Sequence, residues 1–252
     1  SNDALQYVKY FANHCGQKTI VMEASPGYLG SGMEVAPRIH ALIPQTKLLF
    51  ILRNPVDRMY SSFNFHVGKL NIRKDMPFSE YIDQCIAYDS GQKSAVELGM
   101  DEWYLKVISY GQYAEYLKYY YQCFPAKQIK IMFFFFLNRD ILDFMQELCQ
   151  FLEIPSDYFT DYDFKKINVT YESRLKWLHK MAVWLNAKSE RFLRQRPKLK
   201  QLLVDLYKKT NQAREGYDQI SDQDYARLKQ YYAPSVDSLR VLIENRTIPW
   251  NM

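Results

Sequence analysis

Residues 47–63 read KLLFILRNPVDRMYSSF, and the order of residue types in that stretch decides the fold. Lys47 to Leu52 is a continuous apolar run, the kind carried by a strand that is covered on both faces. A helix follows at once. Pro55 suits the first helical position, where a missing N–H costs nothing, and helical spacing continues to about Val67. Arg53 stands where the strand ends and the helix opens. A forked guanidinium, free backbone N–H groups and the positive end of a helix dipole gather there, which is the chemistry of an anion site. Ser61 follows Arg53 by eight residues, about two helical turns, and its hydroxyl faces the same anion if the helix packs against the strand. A phosphate is the natural ligand. The same residues would also make a plain helix-opening turn with Arg53 paired to Asp57, and the stretch alone leaves both readings open.

Working outward, Lys18 to Glu23 (KTIVME) is short and β-prone, ended by Ser25-Pro26-Gly27. A second buried strand is expected over Gln128 to Phe136 (QIKIMFFFF), between helices at Tyr110 to Phe124 and Arg139 to Leu152. Helical spacing also marks Asp3 to His14, capped by Asp3, and Met33 to Ile43. Strands alternating with helices imply an α/β fold, a parallel sheet flanked by helices in three layers. From Glu172 onward the pattern is helical, over Arg174 to Lys188, Lys198 to Lys209 and Asp222 to Glu244, and this third is expected to fold over one end of the sheet. No repeat or low-complexity linker interrupts the chain, so residues 1–252 are expected to form one domain. Ligands of such sheets sit at the carboxyl ends of the strands, which points at Arg53 and at Glu23 to Ser25.

Composition narrows the partners. A net charge of +5 is mild and spread out; it suits an anionic ligand and does not argue for nucleic acid. Its densest basic stretch, Lys188 to Lys200, reads as a solvated helix face or as a surface for an anionic substrate. Cys15, Cys85, Cys123 and Cys149 are too dispersed for a zinc site or a disulfide framework, and the last three look like buried free thiols. No apolar run approaches the roughly 20 residues of a membrane span. The sequons at Asn168 and Asn245 matter only in a secretory setting. His66 closes the helix after Arg53, where it interacts with the helix dipole or faces an acceptor cleft. His14, His40 and His179 read as packing or surface residues, and no triad or metal-ligand spacing appears.

The stretch Lys47 to Phe63 resembles the 3′-phosphate-binding motif of sulfotransferases that use 3′-phosphoadenosine 5′-phosphosulfate. Four further strings agree in order: EASPGYL (Glu23 to Leu29), APRIHALIP (Ala36 to Pro44), a Gly-x-Tyr helix ending in Phe-Pro (Gly111 to Pro125), and YYAPSVDSLRVLI (Tyr231 to Ile243). The whole resembles the bacterial and heparan-sulfate-type branch. That resemblance implies one α/β domain related to P-loop nucleotide kinases, and in-line transfer of a sulfuryl group to a hydroxyl or amine of a saccharide or small molecule. It assigns the 3′-phosphate to Arg53 and Ser61 and implies no metal. Glu23 becomes a candidate base or substrate-orienting carboxylate, with a structural carboxylate as the plain alternative. A basic glycine loop that clamps the donor phosphates aligns loosely with Ala213 to Tyr217, which makes Arg214 and Gly216 candidates; a surface Arg on a turn is the alternative. A cytoplasmic setting is implied for a bacterial-type protein, and a Golgi lumen if an anchor lies upstream.

Three departures accompany the resemblance. The Gly/Lys/Thr-rich loop for the 5′-phosphosulfate, normally upstream of a strand such as Lys18 to Glu23, is not found in these residues. The expectation is that it lies upstream of them; its loss would instead leave a non-catalytic module that binds 3′-phosphoadenosine nucleotides. Ala24 stands where the heparan-type branch often has lysine. Phe133 to Leu137 replaces a Tyr-acid pair, which leaves Phe134 as a candidate for stacking on adenine or as part of a buried strand. Gly68 to Pro77 and Asp89 to Trp103 are the candidate acceptor loops.

Overall fold

The computed structural model describes residue 9, residues 20–164 except 26, the strand backbones 171–173 and 212–215, residues 219–250 except 245, and scattered positions between 181 and 210. In chain order the elements are α1 (Gly32–Leu42), β1 (Leu48–Leu52), α2 (Pro55–Gly68), α3 (Phe78–Asp89), α4 (Ala95–Leu98), α5 (Glu102–Leu105), α6 (Tyr113–Cys123), β2 (Ile129–Phe133), α7 (Phe134–Arg139), α8 (Ile141–Leu152), β3 (Tyr171–Ser173), β4 (Gln212–Glu215) and α9 (Asp222–Leu242). They divide into two compact units. One holds Ser1–Pro55, Ser109–Thr160 and Gln230–Met252; the other holds Val56–Ile108 and Asp161–Lys229.

The first unit is built on β1 and β2, which pair in parallel from Leu48 opposite Ile129 to Leu52 opposite Phe133. Side chains alternate across a strand, and the alternation explains the layers. Leu48, Phe50 and Leu52 join Ile129, Ile131 and Phe133 in a core shared with Ala36 of α1, Leu117 and Tyr120 of α6, and Val236 and Leu239 of α9. Leu49 and Met132 join the opposite cluster, with Phe144 and Leu148 of α8. Helices therefore pack on both faces, although Ile51 of β1 is left exposed, and the three-layer α/β arrangement holds. Lys47, just before β1, donates to the Phe151 carbonyl at 2.7 Å and to the Glu153 carboxylate at 2.8 Å, tying the strand entry to the end of α8.

The strings picked out in the sequence meet inside this unit. Tyr120 donates its phenol to the Tyr28 carbonyl at 2.7 Å, and His40 packs edge-on against Phe124 at 5.1 Å. Gly32 admits the α6 backbone, because a Cβ there would stand 2.7 Å from the Tyr116 carbonyl oxygen. Gly111 does the same for a ring of α9: a Cβ would stand 2.6 Å from Tyr232, which is fully buried.

In the second unit, Phe63 of α2 packs on Phe78 and Tyr81 of α3, each with centroids 5.1 Å apart. Tyr81 donates to the Tyr104 carbonyl at 2.5 Å, and Arg58 donates to the Val107 carbonyl. Helix α3 is not among the helices expected from the sequence. Its signal is Tyr81, Ile82 and Cys85, all fully buried, at the i, i+1, i+4 spacing of one helix face. Short β3 and β4 pair antiparallel in this unit.

Several expectations need correction. Residues 20–25 form no strand; Ile20, Val21 and Met22 are exposed. A β-prone hexapeptide without a ladder partner gains nothing from extension, and among the described residues β1 pairs only with β2. The strand expected to Phe136 stops at Phe133, and Phe134 starts α7, because a run of phenylalanines carries no period to separate strand from short helix. The C-terminal third is not wholly helical, since it contains β3 and β4. Cys85 and Cys149 are buried free thiols as expected, but Cys123, the last residue of α6, is half-buried. Asp3 to His14, Arg174 to Lys188, Lys198 to Lys209, most of the basic stretch, Cys15 and both sequon asparagines lie wholly or largely outside the described residues.

Gly111→Ala is expected to lower stability by about 1–3 kcal/mol, the cost of overpacking against a ring with no room to retreat. Urea denaturation of the variant beside wild type measures it.

Candidate functional site

The register of the sheet places the first pair of candidate residues. Leu52 opposite Phe133 is the last ladder pair, so Arg53 and Phe134 leave the two strands side by side. The Arg53 guanidinium lies over the Phe134 ring, 5.5 Å from its centroid. Such a contact favours the cation and leaves the N–H edges open to an in-plane acceptor. The Arg53 carbonyl accepts from the Tyr113 phenol at 2.8 Å. Arg53 is half-buried, and among the described residues no carboxylate pairs with it, so the ion pair that the turn alone would allow is not made. Asn54, at 9% exposure the one buried polar residue among the described residues, leads directly into Pro55 and α2.

Ser61 lies half-buried on α2, two turns from its start, in the second unit. Glu23 is exposed in the first unit and accepts from the Tyr28 phenol at 2.5 Å. Donating to that carboxylate holds the phenolic proton, and the Tyr28 pKa rises accordingly. Arg214 stands on β4, in register with Glu172 of β3, and so on a strand rather than on the expected turn. Gly216 lies outside the described residues. The structure thus joins Arg53 with Phe134 and Tyr113, and Glu23 with Tyr28. Tyr113 and Tyr28 carry no functional assignment from the sequence, although both fall inside the quoted strings.

His66 occupies the last turn of α2. Its Nδ1 stands 3.2 Å from the Asn71 amide nitrogen, and its ring packs on Tyr104 at 4.8 Å. Burial disfavours the imidazolium and lowers its pKa. Among the described residues no cluster of His, Cys, Asp or Glu could hold a metal ion, and no helix is long and apolar enough to cross a membrane.

The sulfotransferase domain matches residues 36–221, and the chain belongs to that family, whose members transfer sulfuryl groups. Among individual proteins, a bifunctional heparan sulfate N-deacetylase/N-sulfotransferase of Drosophila melanogaster is 30% identical over 156 residues, 60% of this chain and 14% of its own length. A bifunctional heparan sulfate N-deacetylase/N-sulfotransferase 1 of Caenorhabditis briggsae is 24% identical over 148 residues, 58% of this chain and 16% of its own length. The match thus takes in about a seventh of each of these relatives. The crystal structure of a sulfotransferase from Alicyclobacillus acidocaldarius superposes with a TM-score of 0.61 at 20% identity, covering 96% of this chain and 71% of that one, and so shares the fold.

The lowered His66 pKa carries a pH dependence. Between the folded value and the ordinary value of 6.5 the unfolded chain binds the proton more readily, so stability is full above that window and falls as pH drops through it. His66→Gln is expected to remove this component, seen as a flatter dependence of the urea midpoint on pH between about 7.5 and 5.

Proposed function

We propose that this chain binds 3′-phosphoadenosine 5′-phosphosulfate and transfers its sulfuryl group to a hydroxyl or amine of a saccharide or small-molecule acceptor. One observation carries the reading. Arg53 is half-buried at the carboxyl end of β1, lies over an aromatic ring, and has no carboxylate partner among the described residues. A cation so placed is costly until an anion completes it, and a ribose phosphate supplies that anion in bidentate form. Arg53 and Ser61 are the residues we assign to the 3′-phosphate. Phe134, beneath the guanidinium, restricts where the anion can lie.

In the reaction the acceptor oxygen or nitrogen forms a bond to sulfur while the bond from sulfur to the 5′-phosphate oxygen breaks, leaving adenosine 3′,5′-bisphosphate. Glu23 is the carboxylate we assign to take the acceptor proton. The Tyr28 phenol engages its Oε1, which orients the group. Arg214 and Gly216 are the candidates for steadying the donor phosphates. The relatives named for heparan sulfate N-sulfotransfer make a saccharide amine one acceptor class to test beside hydroxyls.

Calorimetry with adenosine 3′,5′-bisphosphate tests the anion assignment. Arg53→Ala is expected to weaken binding by about 2–4 kcal/mol, the cost of losing a charge-assisted contact from a desolvated site. Ser61→Ala should cost about 1 kcal/mol. Equal affinity in wild type and Arg53→Ala overturns the assignment. With labelled donor and pooled saccharides, phenols and alcohols, Glu23→Gln is expected to lower kcat by about 10²–10⁴-fold while nucleotide affinity holds.

A further inference from the structure

Two aromatic side chains of the first unit contact Arg53, and a third packs against their neighbours. Tyr113, 4% exposed at the start of α6, donates to its carbonyl. Phe134, the first residue of α7, lies under its guanidinium. Trp250, 5% exposed, packs behind both strand ends, 6.0 Å from the Tyr113 ring and edge-on to Phe133 at 5.3 Å. We propose that Tyr113, backed by Trp250, is a positioning residue that aims the Arg53 guanidinium at its anion.

The backbone geometry supports this. Arg53 sits one residue beyond the last ladder pair, where strand pairing no longer holds the chain. From there the backbone must turn into a helix within two residues. The direction of its peptide carbonyl therefore sets where Cα and the side chain point. The Tyr113 phenol grips that carbonyl in place of a ladder partner. Tyr113 is itself held tightly. Its predecessor Gln112 donates to the Tyr231 hydroxyl at 3.0 Å, and Gly111 lets the Tyr232 ring into contact. The Gly-x-Tyr spacing thus acquires a physical reading: the glycine seats α6 against α9, and the tyrosine delivers a hydroxyl to the strand end.

Trp250 closes the arrangement from behind. Its indole N–H is buried without a hydrogen-bond partner among the described residues, which is a polar cost. Its ring contacts both Tyr113 and Phe133, the first bonded to the Arg53 carbonyl and the second preceding Phe134. A core filler of similar volume without a polar atom would avoid that cost.

The inference rests on the assignment of Arg53 to a nucleotide phosphate, and the test separates the two. Calorimetry with adenosine 3′,5′-bisphosphate is run on wild type, Tyr113→Phe, Arg53→Lys and the double variant, with urea stability measured for each. Tyr113→Phe keeps the ring and deletes only the hydroxyl. It is expected to weaken binding about 3–10-fold in the wild-type background and less than about 2-fold beside Arg53→Lys, where the fork it aims is gone. Equal losses in both backgrounds, or no loss in either, overturn the inference even if Arg53→Lys itself weakens binding. Wild-type affinity retained in Arg53→Lys, or no binding by wild type, overturns the nucleotide assignment instead. Should Tyr113→Phe fail to fold, Trp250→Phe replaces it in the same cycle with the same expected asymmetry.

Discussion

Everything that positions chemistry in the first unit depends on the parallel pairing of β1 with β2 in one register. Leu52 opposite Phe133 makes the two strands end level, so Arg53 and Phe134 emerge as neighbours. A slip of one residue would turn Leu48, Phe50 and Leu52 out of their core and bring Leu49 and Ile51 in. The same slip would carry Arg53 away from the ring beneath it. Core packing and the pairing of Arg53 with Phe134 are consequently one constraint, and the register cannot change for one without the other.

Aromatic residues make up 16% of the chain, and three tyrosines among them share one device. Tyr81, Tyr113 and Tyr120 are buried, and each donates its phenol to a main-chain carbonyl distant in sequence: Tyr104, Arg53 and Tyr28. A buried tyrosine contributes the packing area of phenylalanine and satisfies a carbonyl that neither helix nor sheet reaches. The residues so tied lie at a strand end, in a loop beside Glu23 and in a short helix. Loop geometry in this protein is thus set from the core outward, which is what a site assembled from chain turns requires. Burial has a chemical consequence too: it pushes the Cys85 thiol and the Tyr120 phenol up to about 12, which favours their protonated forms near neutral pH.

The sulfotransferase family and the α/β fold are features of the chain as a whole, whereas the reaction belongs to a few side chains. Similarity to heparan sulfate enzymes covers about three fifths of this chain and a small part of theirs, so it describes a shared domain and leaves acceptor choice to local residues. In the first unit the candidate residues lie at two places, the end of β1 and the segment Glu23 to Tyr28. Both are tied to α6 by tyrosine hydroxyls.

Local pattern was enough for much of this. The continuous apolar run Lys47 to Leu52, the proline that opens α2, and the helices α1, α6, α8 and α9 were legible because periodicity and proline chemistry act over a few residues. Arg53 could be singled out as a candidate anion ligand because its place in that order is itself local. The strand expected over Lys18 to Glu23, the helix that cuts short the phenylalanine run, and the β3–β4 pair were not legible, because strand formation needs a partner far along the chain. The company Arg53 keeps belongs to the same class. Phe134 arrives through sheet register, Tyr113 through the packing of α6, and Trp250 through a segment nearly two hundred residues away, so only the folded chain brings them to one strand end.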